Sequence, residues 1–211
     1  SHNNVYISWR KKLDMPADMS PGNRTGMASM GGMSMTLVIR DIVVAHSSDG
    51  GQSFSAPVKV HADNFDWNTC LHVGAPMAVD SKGVLHVAWY TGKEGMAGIH
   101  YVTSSDQGKT FSSPIPILTG DWVPPSRVSL VVDKNDNTWI TWEDTSGLAA
   151  NSVHWKYEDT KARIDVAMVT PDGQVFKRTD PLNQVDGKSP IITFANDNVY
   201  VIWGDTDGGI R

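Results

Sequence analysis

The sequence is poor in cysteine, in net positive charge and in long apolar runs, and each shortage excludes a class of protein. Cys70 is the single cysteine among 211 residues, so an internal disulfide and a Cys-x-x-Cys metal clip are both excluded. The formal net charge of −5 provides no basic surface for nucleic acid or for an anionic membrane. No apolar stretch approaches the ~18 residues that a membrane-spanning helix needs. We therefore expect neither nucleic-acid binding nor membrane insertion.

Turn residues and short alternating segments are abundant instead. The chain contains 19 glycines, 11 prolines and 8 tryptophans. Four segments alternate apolar and other residues, a pattern typical of strands, and each places a tryptophan at the same point. The segments are NNVYISWR, GVLHVAWY, NTWITWED and NVYVIWGD, with Trp9, Trp89, Trp142 and Trp203. Their shared position predicts that all four tryptophans lie in the core.

A second repeat has the form S-x-D-x-G-x-[ST]-F and occurs twice, as SSDGGQSF and SSDQGKTF. In a hairpin turn of this composition the aspartate accepts backbone N–H groups, the glycine adopts a positive φ, and the phenylalanine packs under the turn. We expect structural roles for the eight motif residues, which are Ser47, Asp49, Gly51, Phe54, Ser104, Asp106, Gly108 and Phe111. Residues 170–176 form a degenerate third copy.

The two repeats together divide the chain into units of four strands. The strands of one unit are predicted at Pro76–Asp80, Val84–Tyr90, Ile99–Ser104 and Pro114–Leu118, and those of the next at Val128–Asp133, Thr138–Glu143, Ile164–Val169 and Val175–Thr179. Repeated four-stranded antiparallel sheets predict an all-β fold of the β-propeller type, although a β-sandwich fits the alternation alone.

The two ends of the chain fall inside such units. Residues 1–4 match the turn between the first two strands of a unit, and residues 209–211 match the start of a third strand. We expect one partial propeller domain over residues 1–211 that covers about three to four blades. The remainder of a longer protein or a second chain would then close the ring.

An insertion interrupts the first unit between its second and third strands, at about residues 12–34. Trp9 and Asp49 are 40 residues apart, whereas Trp89 and Asp106 are 17 apart. Six of the nine methionines lie in or just after the insertion: Met15, Met19, Met27, Met30, Met33 and Met35. Thioether ligands favour copper(I), and we expect Cys70 and His72 on the same face of the molecule. The sequence thus predicts a copper(I) site, against the alternative of a loop that binds no metal.

The two turns resemble the Asp-boxes of bacterial neuraminidase-type (BNR) repeats. The segments at residues 39–60 and 67–92 resemble secreted bacterial proteins often labelled exo-α-sialidase. That group typically shows Cys-Pro-His-x-Gly-Pro, from which Leu71 and Ala75 depart here. The resemblance covers nearly the whole chain and implies a six-bladed sialidase-like propeller with an extracytoplasmic location, periplasmic or secreted. Asp-boxes also occur in non-catalytic proteins, so the resemblance bears on fold more than on chemistry.

In a four-stranded meander two kinds of connection open on the same face. They are the connection between strands two and three and the connection from strand four to the next unit. We call this face the mouth; the Asp-box turns lie on the opposite face, and loops on a rigid scaffold commonly carry function. The candidate catalytic residues at the mouth are Arg127, Asp66 and Glu143, and the candidate substrate-binding residues are Trp67, Trp122, Trp155 and Arg10.

The resemblance implies the chemistry of these candidates. Sialidases hold a substrate carboxylate with three arginines and use a tyrosine–glutamate pair together with an aspartate as acid and base. This chain offers no tyrosine that pairs evidently with Glu143, and it lacks the Phe-Arg-Ile-Pro motif expected around the first arginine. Three functions stay open: glycan recognition or glycoside hydrolysis at the mouth, copper(I) binding through the insertion, and a non-catalytic binding scaffold.

Overall fold

The computed structural model describes residues 3–12, 40–61, 74–93, 95–120, 127–144, 162–183, 186–205 and 209–210. Thirteen strands form four antiparallel sheets within these residues. Sheet 1 contains β1 (Val5–Lys12), β2 (Arg40–Ser47) and β3 (Val58–Lys59); sheet 2 contains β4 (Met77–Val79), β5 (Leu85–Thr91), β6 (Gly98–Ser104) and β7 (Ile115–Thr119). Sheet 3 contains β8 (Val128–Val132), β9 (Thr138–Asp144), β10 (Arg163–Val169) and β11 (Val175–Lys177); sheet 4 contains β12 (Gly187–Ala195) and β13 (Asn198–Asp205). The described part includes no helix that could span a membrane.

Sheets 2 and 3 confirm the predicted meander. Each pairs its four strands in chain order, from β4 to β7 and from β8 to β11. The strand boundaries agree with the predicted ones to within one or two residues, because period-two alternation follows directly from side chains that point to opposite faces of a strand. The predicted insertion between strands two and three corresponds to the connection from β1 to β2, whose residues 13–39 lie outside the described part.

The four tryptophan segments occupy the same register, as their spacing predicts. The residue after each tryptophan pairs with an isoleucine of the next strand. The four pairs are Arg10 with Ile42, Tyr90 with Ile99, Glu143 with Ile164, and Gly204 with Ile210. The last pair is an isolated bridge at the position where the start of a further strand is predicted.

Two of the four tryptophans lie in the core as predicted. Trp89 is 1% exposed and packs with residues of sheets 1 and 2, and Trp142 is 3% exposed and packs with residues of sheets 2 and 3. Trp9 and Trp203 are half-buried, which corrects the prediction for them. Trp9 alternates with Ser8, whose hydroxyl donates to the Ala75 carbonyl just before β4, so Trp9 faces away from sheet 2. Trp203 lies in a sheet of two strands in the described part.

The two repeat turns have the same hydrogen bonds, as predicted. Asp49 Oδ1 accepts the Ser47 hydroxyl at 2.6 Å and the Ser53 amide at 2.9 Å, and Asp49 Oδ2 accepts the Ser53 hydroxyl at 2.6 Å. Asp106 accepts the same three groups from Ser104 and Thr110, at 2.8, 2.9 and 2.6 Å. The motif glycines, Gly51 and Gly108, have φ values of 90° and 80°. The motif therefore specifies the turn through its own side chains.

The phenylalanines of the two turns differ, against the prediction of matching environments. Phe111 is partly buried against a cluster that includes Val44 of sheet 1 and Leu85 of sheet 2. Phe54 is 40% exposed. The difference arises because the turn of sheet 2 packs on sheet 1, with Gly108 close to Val44, whereas the turn of sheet 1 has no sheet before it in the described part.

The first strands of sheets 2, 3 and 4 lie next to one another. β8 packs against β4 and β5, and β12 packs against β8 and β9. The repeat turns follow β2 and β6, at the end of each sheet remote from the starts of β4, β8 and β12. Successive antiparallel sheets whose first strands lie side by side are the arrangement of consecutive propeller blades.

Candidate functional site

A cleft opens at the mouth, where the inner strands of three sheets begin. It has a volume of about 470 Å³ and is lined by Gly74–Pro76 before β4, Arg127–Ser129 at β8, and Ser189–Ile191 in β12. Ligand sites in proteins commonly have volumes of roughly 300–1,000 Å³. Its lining comes from segments at or just before the first strands of three sheets, and it is open to solvent.

Among the described residues that line the cleft, Arg127 has the one cationic side chain. Its Nη1 donates a hydrogen bond to Ser189 Oγ at 3.1 Å. The Ser189 amide donates in turn to Glu143 Oε2 at 3.1 Å, and Glu143 is 8% exposed. Arg127 and Glu143 are both candidates from the sequence. Ser189, which is not a sequence candidate, contacts both and connects them.

Ser189 has an unusual backbone conformation for its place in a strand. Its φ is +54°, and the pairing of β12 with β13 shifts register between Lys188 and Ile191. A non-glycine residue in the left-handed region costs about 1–3 kcal/mol and is often found at binding sites. The Ser189–Pro190 step is the sequence signal for this bulge, since proline inside a strand is largely confined to edges and bulges.

The rest of the cleft combines apolar walls with hydroxyl groups. Ala75, Pro76, Val128, Pro190 and Ile191 supply the apolar surface. Ser129 Oγ accepts the amide of Ile192 at 3.2 Å, which leaves its own proton for another acceptor. A guanidinium next to two hydroxyls and apolar walls has the chemistry to bind an oxyanion that is carried on a partly apolar body.

Of the remaining sequence candidates, only Arg10 lies in the described part. It is half-buried on β1, on the face that packs against sheet 2, and it is not among the residues that line the cleft. Asp66, Trp67, Trp122 and Trp155 lie outside the described residues. So do all eight predicted copper(I) ligands, which are Met15, Met19, Met27, Met30, Met33, Met35, Cys70 and His72. The described residues contain no group of three or more His, Cys, Asp or Glu side chains that could hold a metal ion.

Asp144 and Asp165 form a second polar feature near the mouth end of sheet 3. Burial raises the pKa of Asp165, Arg163 at 3.2 Å acts against the rise, and the neighbouring Asp144 adds to it. Asp165 is 7% exposed and pairs with Trp142 in the ladder. These aspartates carry no sequence signal beyond a charged residue inside a predicted strand, and they are not part of the cleft lining.

No family model and no curated protein matches the chain. Solved structures match it in fold. A protein of unknown function from Dyadobacter fermentans aligns with 98% of this chain and 56% of its own, at a TM-score of 0.60 and 16% identity. A Hadza microbial sialidase aligns with 81% of this chain and 37% of its own, at a TM-score of 0.54 and 18% identity. The NanB sialidase of Streptococcus pneumoniae aligns with 81% of this chain and 26% of its own, at a TM-score of 0.49 and 17% identity.

The chain thus spans just over half of the first of these structures and little more than a third of the second. At such identities the similarity is one of fold. It identifies an all-β, sialidase-like arrangement of antiparallel propeller sheets. The described sheets do not close a ring.

Proposed function

We propose that this chain is part of an exported sialidase-like propeller of six blades, with Asp-box turns, that recognises an anionic sugar at the mouth cleft. The observation that carries the proposal is the Arg127 guanidinium, held by Ser189 inside a cleft with apolar walls. A guanidinium binds a carboxylate through two parallel hydrogen bonds, and the C–H face of a sugar ring packs on apolar side chains. The fold similarity to a sialidase supports a glycan ligand over other carboxylates.

The ring of this proposed propeller needs further sheets, from the same longer protein or from a second chain. Sheet 4 supports this, because Tyr200 and Ile202 are 46% and 45% exposed on the face of its strands that lies away from sheet 3. Between sheets 2 and 3 the corresponding apolar surfaces cover each other.

Titration of the chain with two sugars tests the proposed recognition. We expect methyl glucuronide to bind measurably better than methyl glucoside, since the two differ in the carboxylate. Arg127→Ala should weaken glucuronide binding by about tenfold or more, the usual effect of losing a charged hydrogen bond. Arg178→Ala is the matched control, because Arg178 is exposed, outside the cleft, and bonded to the Asp180 carbonyl at 3.0 Å. Equal binding of the two sugars, or equal effects of the two substitutions, would contradict the proposal.

Hydrolysis of a glycosidic bond is the second candidate activity at the mouth. The buried Glu143 carboxylate, bonded to the Ser189 amide beside the cleft, favours it, since glycosidases use carboxyl groups as acid, base or nucleophile. A sialoside reporter tests it. Turnover by the wild type that Arg127→Ala abolishes would establish hydrolysis, whereas sugar binding without turnover would leave recognition alone.

We also propose copper(I) binding by the methionine-rich insertion, on the sequence alone. Six methionines within 21 positions form a soft ligand set, which Cys70 or His72 could complete. Competition titration of the chain and of a version without residues 12–34 tests this. Tighter binding by the intact chain is expected, and equal affinity for the two, or none below about 1 μM in either, would remove the proposal.

A further inference from the structure

Ser189 is held in place by contacts that come from the neighbouring sheet. Its positive φ is unfavourable for serine and more so before Pro190, whose ring disfavours helix-like conformations of the preceding residue. The other non-glycine residues of the described part with positive φ lie in tight turns: Gln107, Asp136, Asn196 and Asp197. In the middle of a strand, such a conformation persists when outside contacts stabilise it.

Two hydrogen bonds to side chains of sheet 3 flank the bulge, one on each side. Before it, the Ser189 amide donates to Glu143 Oε2 at 3.1 Å. After it, the Ile192 amide donates to Ser129 Oγ at 3.2 Å. Glu143 is buried at the end of β9, and a bond between a backbone amide and a carboxylate is stronger than a bond between neutral groups. The carboxylate of Glu143 therefore acts on the conformation of Ser189.

The bulge decides where the Ser189 hydroxyl points. Side chains of a regular strand alternate between the two faces, and an extra residue changes this alternation locally. In the observed conformation Ser189 Oγ lies 3.1 Å from Nη1 of Arg127, in the lining of the cleft. An exposed arginine has many rotamers, so one fixed acceptor reduces the entropy it loses on binding a ligand.

We propose that Glu143 and Ser189 are positioning residues that orient the Arg127 guanidinium in the cleft and thereby set its preference for anionic over neutral sugars. The part of this inference that concerns sugars rests on the proposed function. The part that concerns the orientation of Arg127 does not, and it holds in the free protein.

Two measurements on the same variants test the inference: the order parameter of the Arg127 Nε–Hε group by NMR relaxation in the free protein, and the affinities for methyl glucuronide and methyl glucoside. Glu143→Ala and Ser189→Ala should each lower the order parameter and weaken glucuronide binding by about tenfold, with glucoside binding unchanged. Glu143→Gln keeps an oxygen that accepts the Ser189 amide and should restore affinity to within about threefold. Ser112→Ala is the control, since this exposed serine bonds far from the cleft, to the Ser113 carbonyl.

An Arg127 order parameter that stays at the wild-type value in both alanine variants would overturn the inference. An equal loss of affinity for the two sugars would overturn it as well, since a general loosening of the cleft affects both. If the wild type binds neither sugar while the order parameter falls in both variants, the proposed function fails and the positioning role stands. Should Glu143→Ala unfold, Ser189→Ala carries both measurements.

Discussion

Asp106 shows how one half-buried carboxylate stabilises a turn. Its oxygens accept the Thr110 hydroxyl and amide and the Ser104 hydroxyl, and these bonds, those of Thr110 first, lower the pKa of Asp106 to about 2. Because these hydrogen bonds favour the charged form of the Asp106 carboxyl group, the stability of the turn depends on pH. Because the folded pKa lies below the usual 3.8, this stabilisation is present at neutral pH and is lost as the pH falls from about 4 to 2.

Asp106→Asn should therefore lower the melting temperature at pH 7, and the difference from the wild type should shrink as the pH approaches 2. Asparagine retains one oxygen acceptor and loses the other, so the turn keeps part of its bonds. Thermal unfolding by circular dichroism over this pH range measures the effect, with exposed Asp180→Asn as the control. A difference that is the same at pH 7 and near pH 2 would show that the carboxylate's charge plays no part.

Among the glycines that the structure describes, Gly98 is the one whose replacement is tolerated least. It begins β6 with a φ of +142°, and a Cβ placed there would lie 1.8 Å from the carbonyl oxygen of Leu118. Gly98→Ala should cost about 3 kcal/mol or more of unfolding free energy, because the obstacle is backbone. Gly95→Ala, with a φ of +77° and open space around it, should cost about 1 kcal/mol. Urea unfolding compares them, and similar costs for the two would contradict this account.

At the scale of elements, a buried polar network joins sheets 2 and 3. His86 Nδ1 lies 2.5 Å from the Tyr101 hydroxyl and 2.9 Å from Oγ1 of Thr138, and His86 Nε2 lies 3.4 Å from Oδ2 of Asp80. Burial raises the pKa of Tyr101 to about 12, so its phenol stays protonated and can donate to His86. Neutral His86 with its proton on Nε2 accepts the Tyr101 hydroxyl at Nδ1 and directs its Nε2–H toward Asp80.

The packing of sheet 2 against sheet 3 should become less stable in acid because of His86. Burial lowers the pKa of His86 below its usual 6.5, against the opposing effects of Asp80 and the more distant Asp136. Stability from this group is therefore present above pH 6.5 and falls as the pH drops below it. The wild type should lose more unfolding free energy between pH 7.5 and pH 5 than His86→Gln, which cannot titrate. Urea unfolding at both pH values measures this, and equal losses in the two proteins would contradict it.

Elements and registers are predictable from this sequence to the extent that they depend on local patterns. Alternation predicts β4–β11, and the shared tryptophan position predicts that the four tryptophan segments are equivalent. The repeat turns are predictable because their bonds connect residues at most four positions apart. The bulge at Ser189 is not, since it depends on Glu143, 46 residues away. The exposure of Phe54 likewise depends on which sheet packs against its turn.

At the scale of the whole molecule, the order of the strands explains why the candidate site is partly predictable from the sequence. The prediction that mouth and repeat turns lie at opposite ends of a sheet follows from strand order, and it places Arg127 at the mouth. The meeting of β4, β8 and β12 around one cleft is a property of how sheets pack, which no single segment encodes. Ser129 and Ile191 therefore belong to the site because of how the sheets pack, and neither lies in a sequence motif.

The location of a bound acidic sugar tests the central claim most directly. Backbone amide shifts of the labelled chain, followed during a titration with methyl glucuronide, report where the sugar binds. The account predicts that the largest shifts fall at Gly74 and Ala75, at Arg127–Ser129 and at Ser189 and Ile191, where three sheets meet, and that Arg127→Ala removes them. Shifts concentrated at the repeat turns around Asp49 and Asp106, or on the exposed face of sheet 4, would contradict it.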